Sequence, residues 1–288
     1  MKLGIVANYT HRRTPGIVKS IVSWCKKNEI EISFDHEVRE REGIERYDFE
    51  EVETTAPGLD AVIAIGGDGT ILATTRMVSG SNAPIFGINV GGLGFLTIAT
   101  ADNYIDYLTK FIKGEYDVQE RMMLEVEVEG LERSEKKRFL ALNDAVIYKG
   151  AFSRIVQLKI DVGEEEVGTF LADGIIISTP TGSTGYSLSS GGPLIFPTME
   201  VIVVTPICPH TLGARPLVIP SDRRVVVFVK SRGIELALTV DGQKGMVLGE
   251  GSRISVYKAE RSIRLVRFPE SSFFTLLRRK LGWIAREE

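Results

Sequence analysis

Five consecutive apolar residues, Ala61, Val62, Ile63, Ala64 and Ile65, run straight into Gly66-Gly67-Asp68-Gly69-Thr70. An apolar stretch of that length, closed by glycine, fits a strand buried on both faces, as in a parallel sheet covered by helices. The turn then falls at the strand's carboxyl end, the edge of an open α/β sheet at which ligands bind. Ile71, Leu72, Ala73 and Met77 follow at helical spacing, so a helix points its amino end at the same place. Three glycines let backbone N–H groups come close to an anion, yet Asp68 puts a negative charge among them that a turn built only to cradle phosphate has little use for. On these residues alone two readings stay open: a carboxylate placed for chemistry, or a tight turn made of ordinary turn residues.

The surrounding pattern extends the α/β reading. Residues 3–7 predict a first buried strand, and Thr14 with Pro15 predicts a cap and first helical position. Ile17, Ile21 and Cys25 carry the helix to about Lys27, and Ile30, Ile32 and Phe34 alternate as a second strand. The charged stretch from Glu37 to Thr55 reads as a solvated loop or irregular helix. Pro84 to Asn89 predicts another strand, Gly91 to Phe95 a second glycine-rich turn, and residues 101–113 a helix stopped by Gly114. This alternation is that of a doubly wound, mostly parallel α/β domain over residues 1–115.

From residue 116 the rhythm changes to period two. Leu124, Val126 and Val128 alternate with Glu125, Glu127 and Glu129, which predicts a half-exposed strand. Short β-branched runs recur at 154–162, 174–178, 201–205, 224–230, 234–240 and 252–257, giving a β-rich domain over 116–270. The segment 271–288, with Phe273, Phe274, Leu276, Leu277 and Trp283, has helical spacing and is expected to pack back on the first domain.

Length supports two domains: 288 residues exceed one small core. A formal net charge of −3 with scattered basic residues gives no footprint for nucleic acid. No apolar stretch is long enough to span a bilayer, and none at the amino terminus resembles a signal peptide, so neither a membrane nor a nucleic acid is expected as a partner. Cys25 and Cys208 read as reduced, structural residues of a cytoplasmic protein. His11, His36 and His210 show no ligand spacing, so no residue-built metal site is expected.

A hydroxyl- and glycine-rich run, Thr179 to Pro193, follows Asp173-Gly174 and suits polar recognition of a sugar, amide or phosphate; its bland alternative is a flexible loop. Asn143 and Asp144, inside an apolar run, are either a local turn or a ligand contact. Asp241-Gly242-Gln243 reads as a hairpin turn. There is no Gly-x-x-x-x-Gly-Lys loop and no Gly-x-Gly-x-x-Gly fingerprint, so any nucleotide binds in another way.

Taken in order, Gly66 to Thr70, Asn143-Asp144, Asp173-Gly174, Thr179-Pro-Thr-Gly-Ser-Thr-Gly-Tyr186 and Ser189-Ser-Gly-Gly-Pro193 resemble the motif set of the NAD kinases, across nearly the whole chain. The glycine-aspartate turn is shared with diacylglycerol and sphingosine kinases, whereas the Thr-Pro-Thr-Gly-Ser-Thr segment is specific to NAD kinases. The resemblance implies phosphoryl transfer from ATP or polyphosphate, with Mg²⁺ or another divalent metal on the donor, to the 2′-hydroxyl of NAD's adenosine ribose. NAD would lie in the cleft between the domains of a homodimer or homotetramer.

Carried over by position, Asp68 would be the catalytic base, with Gly67 and Gly69 near the phosphates. Leu72 and Phe95 would pack against the dinucleotide, and Asn143 and Asp144 would hold the adenosine side. Asp173 would contact the nicotinamide end, in one arrangement from a neighbouring subunit. Thr184, Tyr186 and Ser189 would line the adenine pocket, with Thr181 and Gly185 of the same segment among the dinucleotide-binding residues and Asp241 and Gln243 beside the site. Two departures stand out: many members carry Glu where this chain has Asp144, and Ala where it has Gly185. Two alternatives share part of the pattern. A lipid kinase would need an acyl pocket in place of the hydroxyl-rich run, and a non-catalytic dinucleotide-binding regulator would not need Asp68.

Overall fold

The computed structural model of the chain describes residues 1–35, 38, 41, 58–92, 94–130, 136–150, 155–211, 213–231 and 236–282. They fall into two compact units, Met1–Glu120 with Ile263–Glu288, and Arg121–Ser262. Apart from residues 38 and 41, the charged stretch expected as a loop or irregular helix lies outside the described residues, and so does Trp283.

The first unit runs β1 (Lys2–Ala7), α1 (Thr14–Lys27), β2 (Glu31–Phe34), β3 (Ala61–Gly66), α2 (Asp68–Val78), β4 (Ile85–Asn89), β5 (Ala99–Thr100) and α3 (Tyr104–Ile112). β2, β1, β3 and β4 pair in that order, all parallel, and Leu265 of the returning segment pairs parallel with Ile85 of β4. Every residue of β3 is buried, as a strand covered on both faces requires. Its core joins Leu3, Ile5, Ile63 and Ile65 to Ile21 and Cys25 of α1, Leu108 and Phe111 of α3, and Val266 and Phe268. Burial there pushes the Cys25 thiol up to about 12, so it behaves as a small apolar side chain. Thr14 does not cap α1: it is the first helical residue, and its Oγ1 donates instead to the Asn8 carbonyl at 2.8 Å. Gly114 ends α3 at φ +75°, the left-handed conformation that glycine adopts without strain. The carboxyl-terminal helix Phe273–Leu281 belongs to this unit and buries Leu277.

The second unit is built from β6 (Asp117–Glu129), β7 (Lys136–Ala141), β8 (Asp144–Lys149), β9 (Val156–Val162), β10 (Glu165–Ala172), β11 (Gly174–Ser178), the short α4 (Tyr186–Ser189), β12 (Val201–Ile207), β13 (Leu217–Pro220), β14 (Val225–Val229), β15 (Leu236–Val240), β16 (Lys244–Leu248) and β17 (Arg253–Arg267), with β6 beginning and β17 ending in the first unit. An antiparallel six-stranded sheet has the order β13-β12-β11-β8-β15-β16. β10, β9, β14 and residues 253–256 of β17 form a second antiparallel array, and β6 pairs with β7 as a hairpin. The core joins Ile147, Ile175, Ile177 and Leu238 of the first array to Leu158, Ile160, Val227 and Ile254 of the second.

Two expectations are corrected here. The glutamate face of β6 is not uniformly solvated: Glu127 is buried, because Lys136 donates to it at 3.0 Å and Arg138 and Tyr257 close over it. The Lys136 hydrogen bond is the main reason that its carboxyl is held below the usual range. Cys208 is not a packed structural residue; it is exposed, at φ +44°.

Candidate active site

In the first unit the glycine turn delivers Asp68 to the first position of α2, at the carboxyl end of β3. Gly67 precedes it in extended conformation and its carbonyl accepts the Thr70 and Ile71 N–H groups, so the strand becomes helix within one residue. The half-buried Asp68 carboxylate is fixed by two backbone donors. The Phe95 N–H reaches Oδ2 at 2.8 Å and the Leu96 N–H reaches Oδ1 at 2.9 Å. These donors come from the second glycine-rich turn and the residue after it, where sequence reading expected the Phe95 side chain to pack against the dinucleotide and gave its backbone no role. Asn89, at the end of β4, shapes that turn by accepting the Gly91 N–H at 2.8 Å and donating to Thr97 Oγ1 at 3.3 Å. A Cβ on Gly94 would land on Asp68 Oδ1 and come within 2.7 Å of Thr97 Oγ1, so glycine is required there by contact. Gly69 is exposed at the turn, Leu72 is buried in the unit, and Phe95 is partly exposed with Lys280 Nζ 4.5 Å from its ring centroid.

Arg267 completes the frame. It is 9% exposed, its Nη1 donates to the Leu96 carbonyl at 3.1 Å, and burial lowers its pKa to about 10 against the opposing attraction of Asp68. Sequence reading missed it. Its one signal was a cation in the otherwise apolar run Leu265, Val266, Phe268.

The second unit gathers a different set. Leu142 and Asn143 form a bend and Asp144 opens β8, so the local-turn reading holds for Asn143 and not for Asp144. The bend is tied down by Asp241, whose Oδ2 accepts the Leu142 N–H at 3.0 Å and whose Oδ1 accepts those of Asn143 and Asp144 at 2.7 and 3.2 Å. Asp241 and Gly242 both have positive φ, 53° and 63°, and the Gln243 N–H donates to the Val240 carbonyl at 3.1 Å, closing the β15–β16 hairpin. Gln243 is exposed on it. Asp144 is 5% exposed, and burial, reinforced by the Asp241 charge, pushes its carboxyl up to about 7. A Cβ on Gly185 would sit 3.7 Å from both Asn143 Nδ2 and Asp144 Oδ2, which brings the hydroxyl-rich run beside this pair.

That run is ordered, and several of its hydroxyls are engaged by backbone or side-chain partners within the unit. Thr179 Oγ1 donates to the Leu142 carbonyl at 2.6 Å, Ser183 Oγ to the Pro180 carbonyl at 2.7 Å, and Thr184 Oγ1 to the Thr181 carbonyl at 3.1 Å. Thr181 Oγ1 accepts from the buried Arg121 at 3.2 Å. A Cβ on Gly182 would strike the Asn143 carbonyl, so backbone meets backbone closely there. Tyr186 and Ser189 remain exposed. Asp173 lies apart from the Asn143 cluster as an ion pair, with Lys149 Nζ 2.7 Å from Oδ1.

A carboxylate held by two backbone amides at the carboxyl edge of a parallel sheet, with a separate β-rich unit carrying a glycine–hydroxyl segment, supplies a positioned base and polar recognition without a Walker loop, and the matched family models place it among the phosphotransferases. Residues 3–116 match the ATP-NAD kinase N-terminal domain and residues 142–268 the ATP-NAD kinase C-terminal domain. The NAD kinase of Gemmatimonas aurantiaca is 42% identical over 98% of this chain and 96% of its own length, and that of Syntrophotalea carbinolica 40% identical over 98% of each. Among solved structures, an NAD kinase from Archaeoglobus fulgidus in complex with ATP has a TM-score of 0.75 at 28% identity, covering 99% of this chain and all of that one. Yeast NADH kinase complexed with NADH shares the fold, with a TM-score of 0.88 over all of this chain and 89% of its own, at 23% identity. The chain belongs to the NAD kinase family.

Proposed function

We propose that this chain transfers the terminal phosphoryl group of ATP to the 2′-hydroxyl of the adenosine ribose of NAD, yielding NADP and ADP. The observation that carries the reading is the Asp68 carboxylate, fixed by the Phe95 and Leu96 N–H groups on the glycine turn. Each oxygen takes one backbone donor and keeps lone-pair capacity for a further proton. Asp68 accepts the 2′-hydroxyl proton as the ribose oxygen bonds to the terminal phosphorus. The bond from phosphorus to the bridging oxygen breaks, and ADP leaves. Such transfer is mostly positioning and charge stabilisation. A carboxylate in hydrogen-bond reach of a poor nucleophile adds on the order of 100-fold to 10,000-fold.

Among the described residues no group of three or more His, Cys, Asp or Glu side chains could hold a metal ion. A Mg²⁺ ion arriving with the nucleotide would take its oxygens from phosphates and water and neutralise the charge that develops on the donor. ATP is taken as the donor because the Archaeoglobus relative was solved with it. Asn143, Asp144, Thr181, Thr184, Gly185, Tyr186 and Ser189 are assigned to the adenosine side, and Asp173 to the nicotinamide end, where Lys149 supplies a compensating charge. A homo-oligomeric state is supported by Tyr148 and Val247, both exposed and set in one cross-strand row with Ala237 on the six-stranded sheet. A cytoplasmic location accords with two free cysteines.

The test is steady-state turnover of NAD with ATP by the parent and by Asp68→Asn, with NAD binding measured by calorimetry. Loss of turnover by about 100-fold or more with binding retained is the expected result. A variant that keeps most of the parent's turnover would remove Asp68 from the chemistry.

A further inference from the structure

Two backbone N–H groups hold the Asp68 carboxylate, and the residue that supplies one of them, Leu96, is itself held through its carbonyl, in the next peptide group along the chain. The Leu96 N–H donates to Asp68 Oδ1, while the Leu96 carbonyl accepts from Arg267 Nη1. The guanidinium reaches this place because Leu265, two residues earlier, is paired in parallel register with Ile85 of β4. On the other side of the same strand segment Val266 and Phe268 are built into the core, and Phe268 packs edge-on against Tyr107 at a centroid distance of 4.7 Å. Arg267 is therefore anchored by its neighbours and aimed at the second glycine turn.

We infer that Arg267 is a positioning residue for the transfer step: by gripping the Leu96 carbonyl and setting a fixed positive charge behind the turn, it holds the Leu96 amide on Asp68 Oδ1. Burying a guanidinium whose one hydrogen bond among the described residues goes to a backbone oxygen would be a poor way to stabilise a sheet end, because desolvation of the charge opposes it. The negative charge of Asp68 opposes that cost without cancelling it, since burial still lowers the Arg267 pKa. Arginine suits the place because its planar guanidinium stays charged when buried and presents donors in a fixed geometry, which lysine does not.

This inference rests on Asp68 being the base, and its test separates the two ideas. Arg267→Gln keeps a donor and removes the charge; Arg267→Lys keeps the charge and loses the planar fork. For Arg267→Gln, kcat is expected to fall by about 10-fold to 100-fold, with KM for NAD and ATP within about twofold of the parent, since small misplacement of a reacting group is that costly. Arg267→Lys is expected to fall in between. In an Asp68→Asn background the same substitutions should cost nothing further, because residues that act as a unit are not additive. Hydrogen exchange at the Leu96 amide should accelerate by about tenfold or more in Arg267→Gln. An equal loss of kcat in both backgrounds, or unchanged protection of the Leu96 amide, would overturn the positioning role and leave Arg267 a sheet fastener. Should Arg267→Gln not fold, Arg267→Lys is put through the same cycle and the same exchange measurement, with the same two outcomes deciding. Intact turnover of Asp68→Asn would instead overturn the base assignment, and the Leu96 exchange result would still decide whether Arg267 holds that amide.

Discussion

Asp144 gives the sharpest quantitative test. Its carboxyl is 5% exposed, and the N–H groups that could have steadied it, those of Leu142, Asn143 and Asp144 itself, are all directed to Asp241. Burial, then the Asp241 charge, raises it from 3.8 to about 7. Between those values the folded chain binds a proton that the unfolded chain has released, so stability falls as pH rises through the window and levels off above it. A rise of roughly 3 units at about 1.4 kcal/mol each sets a ceiling of about 4 kcal/mol. Asp144→Asn removes the titration and keeps the shape. Urea unfolding of both proteins, followed by two coincident probes, should show the variant's advantage growing by about 2–4 kcal/mol from about pH 4 to about pH 8.5. A gap between variant and parent that stays flat over this range, within about 0.5 kcal/mol, would refute the claim that Asp144 is buried without a compensating partner.

Two further outcomes concern glycines that differ in what surrounds them. Gly94→Ala would drive a methyl group onto Asp68 Oδ1 and against Thr97 Oγ1; it should destabilise by about 1–3 kcal/mol and abolish most turnover, as read by thermal unfolding and steady-state kinetics. Gly185→Ala meets Asn143 and Asp144 at ordinary contact distance but brings its methyl 3.2 Å from the Gly182 carbonyl oxygen, which must give by a few tenths of an ångström, so it should destabilise by about 1 kcal/mol, less than Gly94→Ala. The added methyl narrows the space beside Asp144, and calorimetry with NAD checks whether the adenosine side is affected as assigned.

What could be read from the sequence follows the physics of each signal. β3, β4, β11, β12 and β14 were legible because central strands carry uninterrupted apolar or β-branched runs. β7, β10, β13 and β16 were not, because all four are edge strands whose exposed positions dilute the alternation. β8 escaped because it opens on the polar Asp144. At the site, Asp68 announced itself by a charge among glycines. Its partners could not, since Phe95 and Leu96 act through backbone N–H groups that every residue but proline possesses. The hydroxyl-rich run was legible by composition, but not which of its hydroxyls hold the backbone: Thr179 Oγ1 ties the run to Leu142, and Ser183 and Thr184 close its own turns.

The first unit is closed by Ile263–Glu288, residues that follow the whole of the second unit in the chain. On the ribosome, therefore, the amino-terminal half emerges first yet waits for Leu265 to complete its sheet edge and for Arg267 to reach the Leu96 carbonyl. About 140 residues of intervening chain, at roughly 5–20 residues per second, impose a delay on the order of ten seconds. A nascent or prematurely terminated chain thus carries the glycine turn and its aspartate without the strand segment that backs them. Translation itself withholds the finished site until Leu265 and Arg267 have followed the whole second unit out of the ribosome.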